Sequence, residues 1–157
     1  MVDPDANFSA CSTFAFAPDA GGPPRDAPPP RRLAIVKDPR FHADLQEAIG
    51  STLVAKGFRP VRTGARPDLL IAYHTVVSDQ AHVVPPVYGA GWRGHVQVAH
   101  PGYVRWYKEG TLVLDIIDPS DDRLIWRGVG VGAMRDLLPG EPLTDAVRKI
   151  LERFPPT

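Results

Sequence analysis

Two stretches of the chain repeat apolar residues at helical spacing, each on one side only. In the first, Phe41, Leu45, Ala48, Ile49, Thr52 and Leu53 follow at intervals of 4, 3, 1, 3 and 1. In the second, Leu143, Ala146, Val147, Ile150, Leu151 and Phe154 are 3, 1, 3, 1 and 3 apart. That is the period of one face of an α-helix. A helix with a single apolar stripe draws its stability from covering another surface. The rest of the sequence must therefore supply that surface. The first helix has clear ends. Asp38 suits a cap, Pro39 fits the first turn, Lys56 sits in the last turn and Gly57 is a natural stop. Pro155 and Pro156 end the second.

The segments between read as strands. In Ser12–Ala17, Phe14 and Phe16 alternate with Thr13, Ala15 and Ala17, which puts the large residues on one face. Phe58 to Arg62 is a short strand or connector, and 64–67 turns the chain. Leu69 to Val77 is apolar or aromatic on both faces, as a central strand is. Val104 to Asp118 is a second long strand with Leu112, Leu114 and Ile116 on one face. Asp118-Pro119-Ser120-Asp121-Asp122 is a turn, and Leu124 to Met134 returns as its hairpin partner. The order is strand, helix, strands, hairpin, helix. It predicts one α+β domain over 1–157: a mostly antiparallel sheet of four to five strands with two helices packed on one face, a two-layer sandwich. Two segments resist assignment. Residues 18–32 hold six prolines and two glycines, which predicts an exposed Pro-rich linker loop. Residues 79–102 are punctuated by Gly and Pro and read as a long Gly/aromatic loop or a loose hairpin.

Composition narrows the function classes. Lys plus Arg and Asp plus Glu are each 18, so the formal net charge is zero. A nucleic-acid protein usually shows a basic excess, so no nucleic-acid partner is expected. No run of about 18 apolar residues exists, so no helical transmembrane segment is expected. The lone thiol, Cys11, has no partner for an intramolecular disulfide. Met1-Val2-Asp3-Pro4-Asp5 is neither basic nor apolar and does not read as a signal peptide. The chain is either cytosolic or the remainder of a precursor whose leader is gone.

The candidate chemistry is sparse. His82, His95 and His100 stand at intervals of 13 and 5, looser than zinc pairs usually are, and His74 lies on a strand. Asp115, Asp118, Asp121 and Asp122 lack the central Gly and distal Glu of a calcium loop. Asp115 interrupts an apolar strand and either faces solvent or pairs with Arg127 across the hairpin. Gly128-Val129-Gly130-Val131-Gly132-Ala133 has Ala133 at the sixth position, where a dinucleotide fingerprint needs Gly, and no helix directly after. Alternating Gly leaves one strand face bare, where a helix or aromatic packs closely or, alternatively, a shallow groove receives a ligand or partner. Cys11 and the serines sit in no nucleophile context. No catalytic, metal or cofactor residue is assigned. The aromatic cluster Tyr88, Trp92, Tyr103, Trp106 and Tyr107 is the candidate contact surface, since Trp and Tyr offer large area at low entropic cost.

Several segments together resemble a known family. They are Val2–Ser9 followed by Ser12–Phe16, Ala55-Lys56-Gly57-Phe58, and Asp68 to His74. Glu109-Gly110-Thr111-Leu112-Val113-Leu114-Asp115 with Leu124-Ile125-Trp126-Arg127-Gly128 follows, then Ala146 to Leu151 and Phe154-Pro155. In order and spacing these are similar to the domain-of-unknown-function 4136 family. The resemblance implies a bacterial cell-envelope protein, periplasmic and anchored as a lipoprotein in its natural precursor. Cys11 falls where the family usually has an aromatic residue, so it is not the lipidation site. The family carries no established activity. The expectation is a non-enzymatic module that binds an envelope partner. It would act through the sheet face left open by the helices and the loop around Tyr88 and Trp92. The alternatives are a carrier of a lipid or other apolar small molecule in a closed cavity, and a metal-dependent hydrolase using His82, His95 and His100.

Overall fold

The computed structural model describes residues 2–18, 20, 34–35, 38–62, 65–90, 96–100, 102–133, 135 and 140–155. After a short 3₁₀ turn at Phe8–Ala10 come β1 (Thr13–Phe16), β2 (Ala34–Ile35), α1 (Pro39–Ala55) and β3 (Arg59–Pro60). β4 (Leu69–Val84), β5 (Val87–Ala90), β6 (Val96–His100), β7 (Tyr103–Asp118), β8 (Arg123–Ala133) and α2 (Glu141–Leu151) complete the chain. The main sheet runs β3-β1-β4-β7-β8, with β2 also pairing with β4. β5 and β6 form a separate hairpin.

This is the expected α+β domain, with two refinements. β2 brings the main sheet to six strands. β1 is parallel to both β3 and β4, because α1 carries the chain back across the sheet so that the next strands start from the same end. The other pairings in the main sheet are antiparallel.

One face of the sheet carries the core. Leu69, Ile71 and Tyr73 of β4, Leu112, Leu114 and Ile116 of β7, and Trp126 of β8 pack with the stripes of both helices. Leu45, Ile49, Leu53 and Val147 are fully buried, each contributing about 1.5–3 kcal/mol by leaving water. The α1 ends are as the sequence expects. The Asp38 carboxylate accepts the Arg40 N–H at 2.9 Å, and Gly57 takes φ +97° past the last turn. α2 stops at Leu151, but Phe154 keeps its place in the stripe. It is buried against Phe8, Phe58 and Trp126, with ring centroids 5.2–5.5 Å apart.

Of the two readings of 79–102, its described residues realise paired strands rather than the long loop. β4 continues without a break to Val84, paired with β7 as far as Tyr103, and Val87–Ala90 pairs antiparallel with Val96–His100. Ladder hydrogen bonds to β7 hold this strand where its own apolar pattern has faded. Of the 18–32 linker only Pro18 and Ala20 belong to the described residues.

Two polar ties fasten the N-terminal segment. Val2 bridges Trp126, and the Asp3 N–H donates to the Ile125 carbonyl at 2.9 Å. The Asp68 carboxylate accepts from the N–H and hydroxyl groups of both Ser12 and Thr13 at 2.8–3.3 Å. These bonds hold the Asp68 carboxyl below its usual range, the Ser12 N–H having the largest effect.

Candidate functional site

Three places in this fold concentrate chemistry. The first lies on the sheet face opposite the core. Ala72, Asp115 and Arg127 are register partners across β4, β7 and β8, so their side chains share that face. Arg127 donates from Nε and Nη2 to the two Asp115 oxygens at 2.7 Å each. His74 Nε2 lies 3.3 Å from Asp115 Oδ2. His74 and Asp115 are only 6% and 4% exposed. Burial pushes the Asp115 carboxyl up, but hydrogen bonds from Arg127 and His74, and their charges, outweigh it and hold the carboxyl below its usual range. Of the two readings of Asp115, the cross-hairpin pair with Arg127 is the one realised. The cluster is a neutralised anion in a fixed fork, a structural arrangement.

The second is an α1–sheet contact that the sequence reading passed over. The buried Tyr73 hydroxyl lies 3.1 Å from His42 Nδ1 and accepts from Gln46 Nε2 at 3.1 Å. Burial raises the Tyr73 hydroxyl above its usual range, partly offset by the Gln46 bond. His42 and Gln46 stand at i and i+4, so they share a helix face. That spacing was the only available signal, and it is a weak one.

The third is the glycine-rich end of β8. A Cβ on Gly128 would come within 2.3 Å of the Trp126 ring and 2.6 Å of Ile150, and one on Gly130 within 2.7 Å of Ile150. A helix residue and an aromatic thus both press on the bare strand, as alternating glycine suggests. The groove also exists. Beyond Ile150, a cleft of about 310 Å³, open to solvent, is floored by Gly110, Gly130 and Gly132 and walled by Pro142, Ala146 and Ile150, with Asp145 and Lys149 on the same helix wall. It is not the closed cavity that a carrier would require.

The aromatic cluster is only partly visible. Tyr103 is 48% exposed at the far end of the β4–β7 ladder. The backbones of Trp106 and Tyr107 lie in β7 and that of Tyr88 in β5; their side chains, and the whole of Trp92, lie outside the described residues. His95 and the side chains of His82 and His100 lie there too. Among the described residues, no group of three His, Cys, Asp or Glu side chains is placed to hold a metal ion. No helix is long and apolar enough to cross a membrane among the described residues.

The sequence model of a family described as a domain of unknown function, DUF4136, matches residues 1–156. The chain belongs to this family. No curated protein matches this DUF4136 domain. Among solved structures, a PDZ domain protein from Parabacteroides distasonis ATCC 8503 aligns with 100% of the chain at 17% identity and a TM-score of 0.55. The DUF4136 domain spans 35% of that protein's chain, and the likeness is one of fold. A PelC dodecamer from Paraburkholderia phytofirmans aligns with 90% of this chain and 84% of its own, at 13% identity and a TM-score of 0.43.

Proposed function

We propose that this DUF4136 domain is a non-enzymatic binding module of the bacterial cell envelope, engaging a partner protein through the far end of the β4–β7 ribbon. The observation that carries this reading is the exposure of large apolar side chains there. Val83 and Val104 are register partners, yet they are 67% and 50% exposed, with Val87 at 54% and Tyr103 at 48%. Val83 and Val104 share one face of the ribbon and Tyr103 lies on the other; large apolar side chains exposed in this way mark contact sites. Tyr103 belongs to the aromatic cluster that the sequence singles out. The use of the titratable groups supports a non-catalytic role: Asp115 is held by Arg127 and His74, and His42 by Tyr73. A periplasmic location and a lipid anchor on the natural precursor are part of the proposal and follow from the resemblance given above.

The test is site-specific photo-crosslinking from position 81, exposed on the same face as Val83 and Val104, in the native host, followed by fractionation of the envelope. One discrete adduct in the envelope fraction is expected, lost when Val83→Lys and Val104→Lys are combined. An adduct pattern unchanged by the double variant would overturn the ribbon as the contact surface. The carrier reading has its own readout. A small-molecule mass retained in native mass spectrometry of protein taken from the host would favour it over a protein partner.

A further inference from the structure

The β8 edge is a second surface, independent of the ribbon, and its geometry specifies its occupant. β8 ends the order of the main sheet. The start of the chain already uses part of that edge, with Val2 bridging Trp126 and the Asp3 N–H bonded to the Ile125 carbonyl at 2.9 Å. The bond falls on a residue flanking the bridge. Trp126 therefore turns its own main-chain groups toward β7, and the odd-numbered residues after it turn theirs outward. Val129 and Val131 are two of these. They are 56% and 61% exposed, and among the described residues nothing pairs with their outward N–H and C=O groups. Between Gly128 and Gly132 the edge has no Lys or Pro, the residues that usually protect an edge from pairing.

The two faces of this edge differ. The side chains of Val129 and Val131 alternate to the face away from the helices, while these two residues border the cleft against α2 that Gly130 and Gly132 floor. A strand added beside β8 would place the residue opposite Gly130 or Gly132 on the cleft side, because cross-strand partners share a face. A second copy's β8 offers only glycine there and leaves about 310 Å³ unfilled. A segment with one bulky apolar side chain fills it. We propose that the β8 edge at Val129–Val131 accepts an extended peptide segment of a partner, antiparallel to β8. The segment would set a large apolar residue into the cleft and β-branched residues against the two valines. Main-chain bonds give affinity in such strand addition and the pocket gives selectivity.

The probe is a capped eight-residue peptide alternating threonine and valine, with one central tryptophan, titrated into the full chain and followed through the Val129 and Val131 amide signals. Saturable binding below about 1 mM is expected. N-methylating the two peptide amides that face β8 leaves the protein untouched and is expected to weaken binding about tenfold or more. Gly132→Leu, which fills the cleft, is expected to act likewise. The paired Val83→Lys and Val104→Lys variant should bind the peptide normally, so failure here and failure of the ribbon reading are separable. Absence of saturation, or binding that ignores both N-methylation and Gly132→Leu, overturns the proposal. So does self-association of the chain that Val131→Pro abolishes, since the edge would then belong to a second copy.

Discussion

The β4–β7 ladder is one continuous register from Leu70 opposite Ile117 to Val84 opposite Tyr103, but its two halves live in different surroundings. In the near half, Ile71, Tyr73, Leu112, Leu114 and Ile116 are buried beneath the helices. In the far half, Val83 and Val104 occupy the same face and stand in solvent. Backbone pairing is the same in both, and Val83 and Val104 favour strands as Ile71 and Ile116 do. The difference lies in what covers them. Pairing sets where a strand runs, whereas burial is set by the partner layer. An apolar residue in the near half stabilises the fold, and one in the far half is available to something else.

The largest test of that division is truncation at matched positions. Leu114→Ala should cost about 2–5 kcal/mol through lost burial and a cavity. Val104→Ala should stay within about 0.5 kcal/mol. Urea unfolding of both variants decides it, and equal losses would erase the distinction. Next comes the polar heart of the near half. Asp115→Ala leaves the Arg127 charge without its carboxylate and should cost about 3 kcal/mol in the same assay.

Gly130→Val should cost about 1–3 kcal/mol by overpacking against Ile150, and Ile150→Ala in the same chain should recover part of it. Thr75 is buried in the near half, and its hydroxyl has no hydrogen-bond partner among the described residues. Thr75→Val should therefore raise stability by up to about 1 kcal/mol.

The last expected effect is that of pH. Asp68, Asp115 and Asp118 all sit below the usual carboxylate value of 3.8 when folded. A depressed folded value means a contribution that is complete above the unfolded value and lost as pH falls through the folded one. The urea midpoint should therefore hold through neutral pH and drop below about pH 4. Asp68→Asn should make that drop shallower, and a profile unchanged by it would remove Asp68 from the account.

What the sequence made legible follows the strength of local signals. α1 was readable end to end because Asp38, Pro39 and Gly57 each have a local physical role, and the stripe between them is unbroken. β2 was not, since two residues give no period and owe their strand state to Val76 and Val77 across the ladder. The far half of β4 was hidden because proline and glycine nearby mask an alternation that only β7 sustains. In the candidate sites, the Asp115–Arg127 pair could be named as one of two options because both sit on one hairpin. His74 joins it from a third strand, 41 residues from Asp115 in sequence, a distance no motif spans. The glycine face announced close packing, and its cleft needed the position of α2 to be seen.

The ties of the first residues have a consequence for the order of assembly. β4, β7 and β8 join through antiparallel pairings, with a tight hairpin between β7 and β8. β1, by contrast, waits for β4, and Val2 waits for Trp126, more than a hundred residues downstream. Contacts between distant parts of a chain form at higher entropic cost. During synthesis this segment therefore emerges before the strands it binds and docks after them, clasping a sheet that has formed without it. In the finished protein the same segment is the first place where amide protons should exchange.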